Sequence, residues 1–158
     1  MLRLLFFIIL GFNSFIGYSQ TIGDLRPIIG LTYGTEPQVF GITGGVEYLL
    51  LDDFAIAPTY EYYFDGPDVL YNSINADFRY YFKPGQLSFY GLIGYSQNIT
   101  DSNRELKVSK GGVNIGTGTV YRFMFFDRIA AFGQVKYSTA NKSQFSAMGG
   151  ITYFFNIL

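Results

Sequence analysis

Three carboxylates and three cations occupy positions in this chain from which they could meet inside one folded domain. Each lies on the less apolar face of a segment whose side chains alternate between two faces, so all of them could point into a shared interior. Buried acids and bases can exchange protons with a substrate, hold a metal ion or pair with one another. The residues concerned are Glu47, Glu61, Asp77, Arg79, Arg122 and Lys136, with the amide side chain of Gln134 among them.

Catalysis is the least favoured of these uses. The 158 residues include no histidine and no cysteine, which removes the commonest general base, the usual metal ligands and any thiolate chemistry. Glu47 and Glu61 could be compared with a glycosidase pair, but the alternation places them at different depths on neighbouring segments. We therefore predict that the chain is not an enzyme and has no catalytic residue, no metal site and no cofactor.

The segments that carry these residues have the pattern of β-strands. Between Ile74 and Phe82, apolar side chains at even positions alternate with mostly polar ones at odd positions. Because successive side chains of a strand point to opposite faces, a period of two predicts a strand. Most of the alternating segments are close to the ~9–11 residues of a tilted membrane strand. The sequence contains eight of them, at residues 26–33, 39–50, 54–64, 71–82, 87–96, 112–125, 129–138 and 144–155.

Two closed barrels could use this alternation, and they differ in which face is inside. A soluble, lipocalin-like barrel points its large apolar side chains inward, whereas a membrane barrel points them at lipid. Only 15% of the residues are charged, which is poor for a water-covered exterior, and aromatic residues (20% of the chain) collect near both ends of the strands. Short connections also alternate with longer ones. These features predict an all-β, eight-stranded, antiparallel, up-and-down transmembrane β-barrel.

The interior of a barrel of eight strands is just wide enough to be filled by side chains. An unpaired charge in such a lumen would be costly. We therefore predict that the six charged residues and Gln134 form a salt-bridge and hydrogen-bond network that fills the lumen.

The N-terminus has the layout of a processing signal. Arg3 precedes an unbroken apolar run at residues 4–10, and Gly17 and Ser19 supply the small side chains that signal peptidase requires. The run is too short for a membrane-spanning helix. We predict a cleaved secretory signal peptide at residues 1–19 and a barrel domain at residues 20–158.

The chain resembles the small outer-membrane β-barrels of the OmpA/OmpX type found in diderm bacteria. The resemblance rests on the signal peptide, the eight alternating segments, the polar residues of the lumen and the closing sequence Gly-Gly-Ile-Thr-Tyr-Phe-Phe at residues 149–155. The resemblance implies an outer-membrane location, contact with outer-membrane lipid, and recognition of the closing segment by the barrel-assembly machinery. We expect a monomer. The net charge of −1 gives no reason to expect a nucleic-acid partner.

A barrel of this kind is expected to act through its external loops, because loops on a rigid scaffold carry function. We predict a structural or surface-interaction role, with an extracellular partner contacting the polar stretch at residues 98–110. The alternatives are a narrow pore for transport, opened by rearrangement of the lumen network, and a soluble lipocalin-like lipid-binding barrel. The candidate contact residues in this stretch are Asn98, Asp101, Asn103, Arg104, Glu105, Lys107 and Lys110.

Overall fold

The computed structural model of the chain describes residues 22–35, 38–64, 69–83, 85–102, 105–108, 111–126, 128–140 and 143–155. The predicted signal peptide lies outside these ranges. Within them the regular secondary structure consists of nine β-strands, and no helix able to cross a membrane occurs there. The strands are β1 (Leu25–Gly34), β2 (Val39–Leu51), β3 (Phe54–Tyr63), β4 (Val69–Lys83), β5 (Leu87–Ser102), β6 (Glu105–Val108), β7 (Gly112–Arg122), β8 (Ile129–Ser138) and β9 (Gln144–Tyr153).

Eight of the strands close into a barrel. Each pairs antiparallel with its neighbours in the order β1-β2-β3-β4-β5-β7-β8-β9, and β9 returns to β1. The ninth strand, β6, pairs with β5 beyond the point where β7 ends, so it extends the wall without joining the ring. The predicted eight-stranded, up-and-down antiparallel barrel is therefore confirmed.

The register of the strand pairs fixes the stagger of the barrel. When the pairing is followed once around the ring from Tyr81 on β4, it returns to β4 at Tyr71, which is ten positions away. This shear requires the strands to tilt by roughly 35–45° against the barrel axis. The path runs through Tyr81, Tyr90, Gly118, Gln134, Met148, Thr32, Gly41, Tyr63 and Tyr71.

Burial is inverted relative to a soluble barrel. On β9, Phe145 and Ile151 are 56% and 52% exposed, whereas Ser146 and Thr152 are 4% and 6% exposed. On the other strands of the ring, large apolar side chains likewise face outward, and the charged residues Glu47, Glu61, Asp77, Arg79 and Lys136 are buried. This finding overturns the soluble lipocalin-like alternative, which requires the opposite burial.

The two ends of the barrel differ. At one, here called the turn end, short connections join β2 to β3 at Asp52 and Asp53, β4 to β5 at residues 84–86, and β7 to β8 at residues 123–128. The opposite end is called the loop end. With 15 and 16 residues, β4 and β5 are longer than the other strands of the ring, which have 10–13, and their pairing continues to the loop end.

Two strand boundaries correct the expectations from sequence. The polar stretch at residues 98–110 was expected to lack strand character, but β5 continues to Ser102 and β6 pairs with it between Glu105 and Val108. Backbone pairing continues here although the apolar alternation has ended. At the other end, β7 stops at Arg122, and residues 123–126 belong to a turn in place of the predicted strand.

Candidate functional site

The lumen brings together the residues whose chemistry is most distinctive. Glu47, Glu61, Asp77, Arg79, Gln134 and Lys136 are all buried inside the barrel, each no more than 3% exposed. Their strands deliver them to the same space because each side chain occupies an inward position of the period-two alternation. The lumen is layered along the axis, with an apolar floor at the turn end, a charged middle and a polar upper part at the loop end.

The floor of the lumen is apolar, although the alternation of residues predicted a polar lumen. Buried aliphatic and aromatic side chains from β1, β2, β7 and β8, together with Phe154 after β9, close the turn end. The expected polar lumen therefore extends over only part of the barrel. The floor includes Ile28, Leu49, Val120, Phe132 and Phe154.

Glu47 is the centre of the charged layer. Its Oε1 accepts a hydrogen bond from Arg26 Nη1 at 3.0 Å, and its Oε2 accepts one from Arg79 Nη1 at 2.6 Å. The hydroxyl of Tyr81 lies 2.8 and 2.9 Å from the two carboxylate oxygens. Arg26 Nη2 also lies 3.5 Å from Asp24 Oδ2. Two cations and a phenol therefore surround one buried carboxylate, as the low dielectric of the interior requires.

Arg79 connects Glu47 to the opposite wall. Its Nη2 donates to Gln134 Oε1 at 3.0 Å, and the hydroxyl of Tyr90 donates to the same oxygen at 2.8 Å. The guanidinium carbon lies 4.9 Å from the centre of the Tyr90 ring, close enough for a cation–π interaction. The network thus joins β2, β4, β5 and β8 across the lumen.

A second ion pair lies nearer the loop end. Lys136 Nζ donates to Glu61 Oε1 at 2.6 Å, and Asn75 Nδ2 donates to the same oxygen at 3.0 Å. The hydroxyl of Tyr63 donates to the other carboxylate oxygen of Glu61. Beside this pair, Asn114 Nδ2 donates to Asp77 Oδ1 at 3.0 Å. Each predicted lumen carboxylate therefore has at least one hydrogen-bond donor.

Two arginines differ from the sequence-based account. Arg122 was predicted to belong to the lumen network, but it is only half-buried, and its guanidinium carbon lies 4.2 Å from the centre of the Phe154 ring at the floor. Arg26, which was missed, is 2% exposed and pairs with Glu47. Because Arg26 stands two residues before Ile28, it lies on the same face of β1, and this spacing could have predicted that it points into the lumen.

The proposed contact residues at residues 98–110 fall into three groups. Asn98 lies in β5, is 1% exposed and donates to the carbonyl of Ala140 inside the barrel, so the prediction that it contacts an external partner is wrong. Asp101 lies in β5, and Glu105 and Lys107 lie in β6. The remaining three candidates, Asn103, Arg104 and Lys110, lie outside the described residues.

The space between the apolar floor and the charged layer is too small for a substrate. The cavity between the apolar floor and the charged layer, which Glu47 and Phe154 help to line, has a volume of about 10 Å³, the size of a single water. No group of three or more acidic side chains that could hold a metal ion is found among the described residues. The arrangement is suited to filling and bracing the barrel.

Comparison with solved structures found the same architecture in several proteins. The N-terminal β-barrel domain of Pseudomonas aeruginosa OprF matches with a TM-score of 0.72 at 22% identity, covering 86% of this chain and 100% of that one. The chain has the fold of the small outer-membrane β-barrels. Ail, the attachment invasion locus protein of Yersinia pestis, solved with the heparin analogue sucrose octasulfate, matches with a TM-score of 0.62 at 15% identity, covering 85% and 100%.

Another small outer-membrane barrel gives the same result. The outer membrane protein OprG from Pseudomonas aeruginosa matches with a TM-score of 0.60 at 15% identity, covering 87% of this chain and 98% of that one. The predicted resemblance to barrels of the OmpA/OmpX type is confirmed at the level of the fold. A scan of protein-family models and a search of curated proteins found no match. Sequence identities this low support a shared fold only, so a functional site has to be inferred from the residues of this chain.

Proposed function

We propose that the chain is a non-enzymatic outer-membrane β-barrel with a filled lumen, acting in envelope structure or in surface contact through its loop end. The observation that carries this proposal is the inverted burial of the wall. An apolar exterior around a charged interior is favourable in lipid and unfavourable in water. In this arrangement the outer wall contacts outer-membrane lipid, and the mature chain reaches that membrane after export.

The outward wall supports the membrane setting because its apolar surface is continuous around the ring. Soluble monomers rarely expose apolar patches larger than a few hundred Å². Outward side chains on every strand of the ring would form such a surface, and many are aromatic near the strand ends, as the two interfaces of a bilayer favour. Representative outward residues, one per strand, are Leu31, Phe40, Phe54, Phe78, Ile93, Ile115, Val135 and Ile151, all at least 47% exposed.

The filled lumen favours a closed barrel over the narrow pore. Side chains from opposite walls meet directly in the Glu47–Arg79–Gln134 contacts, and the cavity beneath them is no larger than one water. Conduction would require the buried carboxylate and its cations to separate, which is costly in a low dielectric. We therefore assign the lumen a structural role and place contact with other molecules at the loop end.

The loop end has one feature suited to contact with a partner. There β4, β5 and β6 form a three-stranded extension, in which Ser102 pairs with Glu105 at the tip of the β5–β6 hairpin. Its strands contain Asp101, Glu105 and Lys107, three of the residues predicted to contact an extracellular partner. We propose that it faces outside the cell, that the turn end faces the periplasm, and that the barrel works as a monomer after insertion by the barrel-assembly machinery.

This orientation can be tested by labelling cells. An epitope that replaces residues 103–104 is expected to bind antibody on intact cells, because the β5–β6 hairpin would lie outside the membrane. The same epitope inserted after Asp52, at the turn end, is expected to bind antibody only after the outer membrane has been permeabilised. Immunofluorescence with and without permeabilisation gives the measurement.

Both tagged proteins must first be shown to reach the membrane in equal amounts. Labelling of the Asp52 tag on intact cells, with no labelling of the hairpin tag, would show that the barrel is inverted. Labelling of neither tag without complete lysis would remove the surface-contact role.

A further inference from the structure

One turn of the barrel has an unusual composition. Residues 123–126 read Phe-Met-Phe-Phe and connect β7 to β8 at the turn end. Met124, Phe125 and Phe126 are 66%, 94% and 61% exposed. Two backbone hydrogen bonds form the turn: Phe126 N donates to Phe123 O at 3.2 Å, and Ile129 N donates to Phe126 O at 3.1 Å. The turn holds three large apolar side chains away from the protein.

The other turns at the same end are polar. The β2–β3 turn is formed by Asp52 and Asp53. The β4–β5 connection contains Gln86 and follows Lys83, the last residue of β4. In the ring order, the β2–β3 turn is diametrically opposite the β7–β8 turn. The turn end thus has an acidic side and an apolar side facing away from each other.

The apolar turn lies beyond the span that the strands need to cross a bilayer. Along β7 and at the first residue of the turn, the outward apolar residues run from Val113 to Phe123. At about 3.3 Å per residue and a tilt of roughly 40°, this span rises roughly 25 Å, the full height of the apolar band of a membrane barrel. Residues 124–126 continue the band past this height. In an upright barrel they would extend into the headgroup region or the water.

A cation accompanies the apolar residues. Arg128 is exposed, and its Nη1 lies 3.4 Å from the hydroxyl of Tyr153 on the outer wall. Aromatic rings with an adjacent arginine form the combination that anchors proteins at a membrane interface, where the rings enter the acyl region and the cation meets lipid phosphate.

We propose that the β7–β8 turn is a lipid anchor, in which residues 124–126 insert among the acyl chains of the inner leaflet and Arg128 lies at the level of the phosphates. The proposal rests on the membrane setting proposed above. Anchoring at one side draws this side of the turn end into the leaflet and leaves the opposite Asp52–Asp53 turn in water, so the barrel axis tilts.

Phospholipid is favoured over a protein partner because the turn is continuous with the apolar outer wall. The connection runs through Phe123 and Tyr121, whose rings pack edge to face with their centres 5.7 Å apart.

The chain contains no tryptophan, so single substitutions give site-specific fluorescent reporters. Three variants, Phe125→Trp, Asp52→Trp and Phe54→Trp, would be refolded into phospholipid vesicles whose acyl chains carry bromine, a contact quencher. Phe54 is on the outward wall and 47% exposed, so it reports contact with lipid. We expect quenching of Phe125→Trp to be close to that of Phe54→Trp and at least twofold greater than that of Asp52→Trp.

Each outcome has a distinct meaning. Equal, weak quenching of Phe125→Trp and Asp52→Trp, with strong quenching of Phe54→Trp, would overturn the anchor and leave the membrane barrel intact. Protection of Phe125→Trp from both bromine and aqueous acrylamide would also overturn it, because a protein, such as a second copy of the chain, would then cover the turn. Absence of quenching at Phe54→Trp would instead refute the membrane setting. Bromine quenching of a Met124→Trp variant, measured in the same way, shows whether the result depends on the substitution at Phe125 alone.

Discussion

Replacing Glu47 with alanine is expected to lower the free energy of unfolding of the barrel by about 3–5 kcal/mol. The variant would leave Arg26 and Arg79 buried, each 2% exposed, without the carboxylate that forms an ion pair with both. It would also remove the acceptor for the hydroxyl of Tyr81. Urea unfolding of the refolded barrel in phospholipid vesicles, followed by tyrosine fluorescence or circular dichroism, measures the change.

Two controls separate the lumen network from the general loss of an acid. Asp52→Ala removes an exposed carboxylate at the turn end and should change stability little, since exposed charges contribute little. Combining Glu47→Ala with Arg79→Met should cost less than the sum of the two single changes, because the second removes a cation that the first has left unpaired. A cost for Glu47→Ala no greater than that of Asp52→Ala would show that the network does not hold the barrel together.

Replacing Gly150 with alanine is expected to destabilise the barrel by about 1–3 kcal/mol or to prevent closure of the β1–β9 seam. A Cβ at this position would lie 2.1 Å from the carbonyl oxygen of Ile29 and 2.5 Å from Cα of Gly30. Both atoms belong to the backbone of β1, which pairs with β9 to complete the ring. Relief of the overlap would require the two strands to move apart. Urea unfolding and the yield of refolded barrel report the effect.

The neighbouring glycine provides a matched control. A Cβ on Gly149 would meet only the carbonyl oxygen of Phe132, at 3.6 Å, an ordinary contact distance. Neither glycine has a positive φ, so alanine is compatible with the backbone at both positions. Gly149→Ala is expected to be neutral or to stabilise by up to about 1 kcal/mol. Equal effects of the two substitutions would contradict the close packing of β1 on β9.

The faces of most strands could be predicted because the wall separates two very different environments. On β4, every odd position from Asn75 to Tyr81 was assigned inward from the alternation alone, and all four side chains are buried. A one-residue shift would place Asp77 and Arg79 on the apolar exterior, so the pattern leaves only one register.

Prediction failed where inward and outward residues are alike. In β5, Tyr90 and Leu92 are buried in the lumen beside Phe89 and Ile93, which face outward, so polarity cannot distinguish the two faces. Only the register decides between them, since Tyr81 pairs with Tyr90 and their rings lie 5.2 Å apart. The apolar floor was missed for the same reason, because an apolar residue in a membrane barrel can face either side.

The loop end shows a second limit of sequence patterns. Beyond the apolar band both faces of a strand are polar, so alternation disappears while the backbone hydrogen bonds continue. Asn98 was assigned to a loop on this ground, yet it pairs with Ser73 and points into the barrel. The pairing of Lys136 with Glu61 could not be predicted either. The two residues are 75 positions apart in the sequence, and their contact depends on the stagger of the closed ring.

Heat-modifiable mobility of the mature chain on gels, together with membrane fractionation, distinguishes an outer-membrane barrel from a soluble one. We expect the chain to be recovered in the outer-membrane fraction. We also expect the chain refolded in detergent to migrate as a compact species when unboiled and to shift to its full apparent mass when boiled. A chain that stays soluble without detergent and shows no shift would contradict the outward apolar wall, and with it both the outer-membrane proposal and the lipid anchor.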